Sequence, residues 1–131
     1  MVPLSRFAEY TYALMRIAAG FLFLFHGAQK LFGTFGGTQQ PLASLMGLAG
    51  IIEFFGGILI MIGLFAGVAA FLASGQMAVA YFMVHFPNAF WPIQNQGELA
   101  ALYCFVFLYI ASRGAGIWSV DAARGVGRRG R

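Results

Sequence analysis

The sequence GLAGIIEFFGGILIMIGLF, residues 47–65, is an apolar run interrupted by one ionisable residue, Glu53. An α-helix needs about 20 mainly apolar residues to cross the hydrocarbon core of a bilayer. Extended to residues 41–65, this run is long enough, and residues 7–32, 66–86 and 96–112 are comparable. The sequence therefore predicts an all-α integral membrane protein, a bundle of four transmembrane helices.

Composition also indicates a membrane protein. The 131 residues are 60% hydrophobic and 9% charged, whereas a soluble domain carries about 25% charged residues. A chain this short exposes most of its surface, so this surface suits lipid rather than water. The single cysteine, Cys104, excludes an intramolecular disulfide and CxxC dithiol chemistry.

The distribution of positive charge predicts the orientation. Six of the seven arginines lie before the first predicted span or after the last one: Arg6, Arg113, Arg124, Arg128, Arg129 and Arg131. The two longer loops, residues 33–40 and 87–96, contain no Lys or Arg. Because the Lys- and Arg-rich side of a membrane protein is usually the cytoplasmic side, we predict that both termini are cytoplasmic.

The end of the chain differs from the rest in composition. Residues 122–131 consist only of Gly, Ala, Val and Arg, which provides almost nothing to bury. We predict a membrane domain over residues 1–121 and a basic, disordered tail over residues 122–131. Its positive charge favours anionic lipid head groups over nucleic acid.

Polar side chains inside the predicted spans are functional-site hypotheses, because a charge at membrane depth is unfavourable unless it is paired or hydrated. They are Arg16, His26, Lys30, Glu53, Gln76, His85 and Glu98. At about 100° per residue, the ionisable residues of the first span share one face. Small residues lie beside them and beside Glu53, so helices can approach most closely at these polar faces. These small residues are Gly20, Gly27, Gly50 and Gly57.

Glu53 has a predicted depth near mid-membrane, between Arg16 on the inner side and His26 and Lys30 on the outer side. We therefore predict Glu53 as the centre of a polar seam between the helices. Two other interpretations stay open. Arg16 and Glu53 could form a purely structural ion pair, and Lys30 could extend to the lipid head groups while His26 lies at the interface.

Two further residues extend this seam towards the outer face. His85 and Glu98 lie near the outer ends of the third and fourth predicted spans, although Glu98 also follows Asn95 at the spacing of a helix capping box. Gln76 precedes His85 by nine residues, which is roughly 180° around a regular helix. Either Gln76 contacts a different neighbour or subunit, or Pro87 distorts the turn around His85.

These side chains suit three kinds of ligand. A quinone head group needs hydrogen bonds to its carbonyls and a proton route inside an apolar pocket. For this ligand we predict Glu53 and His26 as catalytic residues. The predicted ligand-binding residues are Arg16, Lys30, His85 and Glu98. Alternatively, the two histidines bind a haem, or hold a divalent metal with the two glutamates, although no spacing is diagnostic and no metal ligand is assigned.

The chain contains the motifs RIAAGFLFLFHGAQKL (16–31), EFFGG (53–57), GLF (63–65), HFPNAF (85–90), NQGE (95–98) and GIWSVD (116–121). Together these motifs resemble those of the DoxX family of small bacterial membrane proteins. The resemblance extends from about residue 15 to residue 121. It implies a four-helix protein of the bacterial cytoplasmic (inner) membrane. The matching polar positions are Arg16, His26, Lys30, Glu53 and Glu98, and the resemblance does not say which of them does chemistry.

Relatives in that family form part of a thiosulfate:quinone oxidoreductase, or associate with a superoxide dismutase and a sulfurtransferase in a membrane redox complex. The resemblance therefore implies a quinone-linked membrane subunit of an oxidoreductase complex in sulfur or oxidative-stress redox chemistry. Alternatives are a non-catalytic membrane anchor or assembly factor for a redox enzyme, and a haem or metal protein. Expected partners are the lipid bilayer and a soluble or membrane redox protein. Homo-oligomerisation and catalytic activity are left open.

Overall fold

The fold is taken from a computed structural model that describes residues 3–125. In chain order the α-helices are α1 (Ala8–Phe32), α2 (Leu45–Ile62), α3 (Ala66–Ala80), α4 (Pro92–Asn95), α5 (Glu98–Arg113) and α6 (Val120–Ala123). A 3-10 turn, Ser5–Phe7, precedes α1, and a π-helical turn, Tyr81–His85, and a 3-10 turn, Phe86–Asn88, follow α3. The described part of the chain contains no strand, which confirms the predicted all-α class there.

Within residues 3–125, three helical stretches are long and apolar enough to cross a membrane. They are Ser5–Phe32, Leu45–Ile62 and Ala66–Asn88, with mean hydropathies of 1.3, 2.2 and 1.6. Their outward faces carry large apolar side chains such as Phe71 and Leu72, both more than half exposed. The fourth predicted span corresponds to α5, which has only 16 residues, so a fourth crossing stays a prediction.

Helix α2 is shorter than the predicted span of residues 41–65. Ser44 begins it, because its hydroxyl accepts a hydrogen bond from the backbone N–H of Gly47 at 3.0 Å. Gly63 ends it with a φ of 74°, a left-handed conformation that glycine adopts at low cost. Glu53 is therefore eight residues from the first residue of α2, or about 12 Å along the helix axis.

Helices α1 and α2 cross with their backbones in contact. A Cβ atom added at Gly20 would lie 2.6 Å from the carbonyl oxygen of Gly57, and one added at Gly57 would lie 2.7 Å from the backbone nitrogen of Leu24. A Cβ atom at Gly27 would overlap the backbone of Phe54. The predicted close approach at the small-residue faces is confirmed.

We expect Gly27→Ala to destabilise the protein by about 1–3 kcal/mol, because the added methyl group must push the two helix backbones apart. Gly56→Ala is the matched control, since a Cβ atom there meets no heavy atom within 4 Å apart from its own helix. Alanine is the better helix former by up to about 1 kcal/mol, so this variant should keep or raise stability. Thermal unfolding in detergent measures both, and equal melting temperatures for the two variants would contradict the expectation.

Aromatic side chains join α1 to α5. The ring of Phe23 lies 4.7 Å from that of Phe107 and 5.3 Å from that of Tyr103. Near the start of α1, the Tyr12 hydroxyl donates to the carbonyl of Gly114 at 2.6 Å. The two helices are thus antiparallel. The C-terminal end of α1 meets the side of the molecule that carries loops 33–44 and 86–97, called here the loop end. The opposite side, with the start of α1 and residues 114–125, is the terminal end.

Candidate functional site

Glu53 is the centre of a buried ion pair. Its side chain is 4% exposed, and the Lys30 ammonium lies 2.6 Å from Oε2 and 2.8 Å from Oε1. Gln76 Nε2 donates to Oε1 at 3.1 Å. Glu53 therefore connects α1, α2 and α3. The interpretation of Lys30 as a side chain extended to the lipid head groups is wrong, because its ammonium turns inward to the carboxylate.

Arg16 does not reach Glu53, so the predicted ion pair between them is wrong. It lies fully buried at the terminal end, where its guanidinium donates to five backbone carbonyl groups. The acceptors are Ile60 at 3.1 Å, Met61 at 3.5 Å, Ile117 at 3.0 Å, Trp118 at 2.8 Å, and Ala115. The predicted start of α2 at residue 41 placed Glu53 about 6 Å too deep. At its actual depth Glu53 is level with Lys30.

Asp121 is a structural residue that lies outside the predicted set of polar side chains. Its carboxylate accepts from the backbone N–H groups of Phe65, at 3.0 Å, and Ala66, at 3.1 Å. It thereby caps the start of α3, where a negative charge is favourable. Arg124 pairs with the same carboxylate at 3.2 Å. Residues 122–124 of the predicted tail thus belong to this packed segment, and residues 126–131 lie outside the described range.

The π-helical turn explains how Gln76 and His85 come to line one cavity. A π turn contains more residues than an α turn, so it rotates the positions that follow it. This turn spans Tyr81–His85, and Pro87, which has no N–H to donate, lies in the 3-10 turn after it. The predicted distortion around His85 is confirmed. Gln76 contacts Glu53 rather than an unrelated neighbour.

A cavity of about 330 Å³ lies between the helices at the loop end. Its volume falls in the range of about 300–1,000 Å³ that is typical of small-molecule sites. The polar lining includes His26, Lys30, Glu53, Gln76, His85 and Tyr103, and the remaining walls are mainly apolar. The cavity thus brings together the two predicted catalytic residues and two of the four predicted ligand-binding residues. Arg16 and Glu98 are not among the residues that line it.

Glu98 is exposed and is the first residue of α5. The capping box predicted with Asn95 is absent from the described structure, because Gly97 rather than Asn95 occupies the N-cap position. Asn95 is instead 1% exposed. Its amide oxygen accepts from the Gly97 N–H at 2.8 Å, and its amide nitrogen donates to the Tyr81 hydroxyl at 3.2 Å. Its carbonyl oxygen lies 3.1 Å from His85 Nδ1, so Asn95 orients His85.

A second cavity, of about 430 Å³, adjoins the first between α2 and α3. Gln76 is the only polar residue among those that line it. The two cavities share Met46, Ala49, Gln76, Ala80 and Val84. The combined space is polar near Glu53 and apolar towards the outward face of α3. It therefore suits a ligand with a polar head and an apolar tail.

The predicted alternative of a divalent metal needs several ligands in one place. Among residues 3–125, no group of three or more His, Cys, Asp and Glu side chains could hold a metal ion. The carboxylate of Glu53 is instead occupied by Lys30 and Gln76. The described residues therefore provide no set of ligands for the divalent metal of this hypothesis.

Comparison with known proteins identifies relatives. The family model described as DoxX matches residues 11–86, a range that includes the cavity residues from His26 to His85. An uncharacterized protein of Haemophilus influenzae is 39% identical over an alignment of 128 residues, which covers 92% of this chain and 96% of that protein. No solved structure matches the chain significantly.

Proposed function

The chain belongs to the DoxX family, and we propose that it is a quinone-binding membrane subunit of an oxidoreductase complex in sulfur or oxidative-stress redox chemistry. The cavity around the Lys30–Glu53 pair is the observation that carries this proposal. A quinone head group needs hydrogen-bond donors for its carbonyl oxygens, groups that exchange protons, and an apolar surround. The lining of the cavity offers all three.

In this proposal each polar residue has a role that follows from its contacts. Lys30 has three N–H groups, of which two serve Glu53, and the third is free to donate to a carbonyl oxygen of the ligand. The Tyr103 hydroxyl is a second donor in the same lining. Glu53 and His26 are the groups that hold and transfer protons, and His85 helps to bind the ring. Arg16 and Glu98 have no part in it.

The second cavity supports a lipid-soluble ligand. It adjoins the polar cavity and, apart from Gln76, is lined by apolar residues. An apolar tail placed there contacts apolar side chains while the quinone head group reaches Lys30 in the adjoining cavity. Reduction of a quinone consumes two electrons and two protons. The proton-binding groups belong to this chain, and the electrons come from the partner redox protein.

We also propose the full topology. Helices α1, α2, α3 and α5 alternate in direction, so α5 forms a fourth crossing despite its 16 residues. The start of α1 and residues 114–125 then lie on one side, and the arginine distribution supports the cytoplasmic side for it. The match to a protein of Haemophilus influenzae supports a bacterial source, and the apolar helices support a membrane, which we propose is the inner membrane.

A binding experiment with matched variants tests the function. The protein is purified in mild detergent, extracted with organic solvent to identify bound quinone, and titrated with decylubiquinone. Glu53→Gln should weaken binding about tenfold or more, because Lys30 loses the charge that holds it in place. Glu98→Gln, at an exposed glutamate outside the cavity lining, should bind normally.

The apolar cavity provides a second control in the same experiment. Gly75 lines it, and a Cβ atom there meets no heavy atom within 4 Å outside its own helix. Gly75→Leu should therefore weaken decylubiquinone binding and leave the binding of tail-less duroquinone unchanged. The proposal fails if the extract contains no quinone and neither compound binds.

A membrane anchor or assembly factor for a redox enzyme is the second candidate. It is favoured by the short connections outside the long helices, residues 33–44 and 86–97, which offer little surface for a polar substrate. Affinity purification from the native host distinguishes the two. A stable redox partner together with an absence of quinone binding would favour the anchor.

A further inference from the structure

One buried acceptor at the cavity lacks a donor. Gln76 Oε1 is shielded from solvent and has no hydrogen-bond partner among residues 3–125. Glu53 fixes its orientation: a carboxylate only accepts, so the amide nitrogen of Gln76 must face it, as it does at 3.1 Å. The amide oxygen is thereby turned away from Glu53, on a residue that lines both cavities.

His85 provides a second acceptor. Its Nδ1 lies 3.1 Å from the carbonyl oxygen of Asn95. Because that oxygen can only accept, Nδ1 carries a proton, which leaves Nε2 as the ring nitrogen that can accept. His85 also lines the polar cavity. The ligand space is therefore bordered by Gln76, whose amide oxygen lacks a donor, and by the imidazole of His85.

The donors and acceptors of the cavity differ in whether they distinguish the oxidised from the reduced form of the ligand. Lys30 and the Tyr103 hydroxyl donate, and both a carbonyl oxygen and a hydroxyl oxygen can accept from them. The donors thus serve the oxidised and the reduced ligand alike. Gln76 Oε1 can be satisfied only by a ligand that itself donates, which a quinone carbonyl cannot do and a quinol hydroxyl can. Leaving this buried acceptor unpaired is costly, so Gln76 favours the hydroxyl-bearing form. His85 Nε2 is not shielded in this way, so leaving it unpaired costs less.

We propose that this cavity binds the reduced, hydroxyl-bearing form of its ligand more tightly than the oxidised form, with Gln76 Oε1 as the discriminating acceptor. The proposal rests on the proposed quinone-binding function and identifies the preferred ligand as a hydroquinone with an apolar tail. We expect a preference of about tenfold, the size of one hydrogen bond to a buried group. For a two-electron couple, a tenfold preference makes the bound quinone about 30 mV more oxidising than the free one.

Paired titrations test the preference. The purified wild-type protein is titrated anaerobically with decylubiquinol and, separately, with decylubiquinone, and the ratio of the two dissociation constants is the readout. Gln76→Met keeps the length of the side chain but removes the acceptor, so it should bring the ratio close to one. Gln94→Met, at an exposed glutamine outside both linings, should keep the wild-type ratio.

The outcomes separate this inference from the function on which it rests. Tighter quinol binding that Gln76→Met abolishes supports it. Equal binding of the two forms to the wild-type protein overturns it and leaves the quinone-binding function intact. A preference that survives in Gln76→Met also overturns it, since another group would then discriminate. If neither compound binds, the proposed function and this inference fail together. The wild-type comparison needs no variant, so it stands even where Gln76→Met folds poorly.

Discussion

Lys30→Met is expected to lower the free energy of unfolding by about 3–5 kcal/mol, the usual loss when one partner of a buried ion pair is removed. Glu53 is 4% exposed, so its carboxylate would remain in the interior without a countercharge. The remaining donor to it, Gln76 Nε2, is neutral. Thermal and denaturant unfolding in detergent measure the loss.

A double variant distinguishes a lost ion pair from lost packing. Lys30→Met combined with Glu53→Leu removes both charges, and apolar residues of similar size can replace a buried pair at little cost. The double variant should therefore recover most of the stability that the single variant loses. If the two variants are equally unstable, the pair does not account for the loss. Neither should bind decylubiquinone with wild-type affinity, because both lack the Lys30 donor.

Arg16→Met should be at least as damaging to stability. Its guanidinium satisfies carbonyl groups at the end of α2 and in residues 115–118, and each buried acceptor left without a donor costs about 1–3 kcal/mol. We expect a loss of about 3 kcal/mol or more, seen as a low yield of folded protein and a lower melting temperature. Arg16→Lys should rescue little, because one ammonium cannot reproduce the planar, five-donor guanidinium.

The control for Arg16 is Arg6, another arginine at the terminal end of the molecule. Arg6 is exposed and lies over the ring of Phe7 at 4.7 Å, so Arg6→Met should leave the melting temperature nearly unchanged. Quinone affinity per folded molecule should be normal in any Arg16 variant that can be purified, since Arg16 lies outside the cavity lining. A fully stable Arg16→Met protein with impaired quinone binding would reverse the assignment of Arg16 as a structural residue.

The sequence predicted those parts of the fold that depend on local pattern. Long apolar runs indicated the helices, and the glycines beside Arg16 and Glu53 marked the faces where α1 and α2 touch. Glu53 could be identified as the central residue because a carboxylate inside an apolar helix needs partners wherever it lies. The partner itself could not be identified, because it depends on the start of α2, which Ser44 sets four residues later than the apolar pattern suggests.

The remaining features depend on contacts between distant segments. The π-helical turn before Pro87 brings His85 to the same cavity as Gln76, and helical periodicity alone assumes a regular helix. Asn95 donates to the Tyr81 hydroxyl, and Asp121 accepts from the backbone of Phe65, so the local sequence around either residue does not predict its partner. The direction taken by Lys30 was open for a similar reason: a long flexible side chain at a helix end reaches lipid or a buried carboxylate with equal ease.

The burial of Arg16 has a consequence for how the protein is made. Its acceptor at Ala115 lies 99 residues later in the chain, and ribosomes add about 5–20 residues per second. Residues 115–118 are therefore synthesised roughly 5–20 seconds after Arg16, and the guanidinium lacks these acceptors until then. A nascent chain that stops short of these residues leaves the Arg16 guanidinium without these carbonyl acceptors. The last segment must therefore be present before the first helix can reach its final packing.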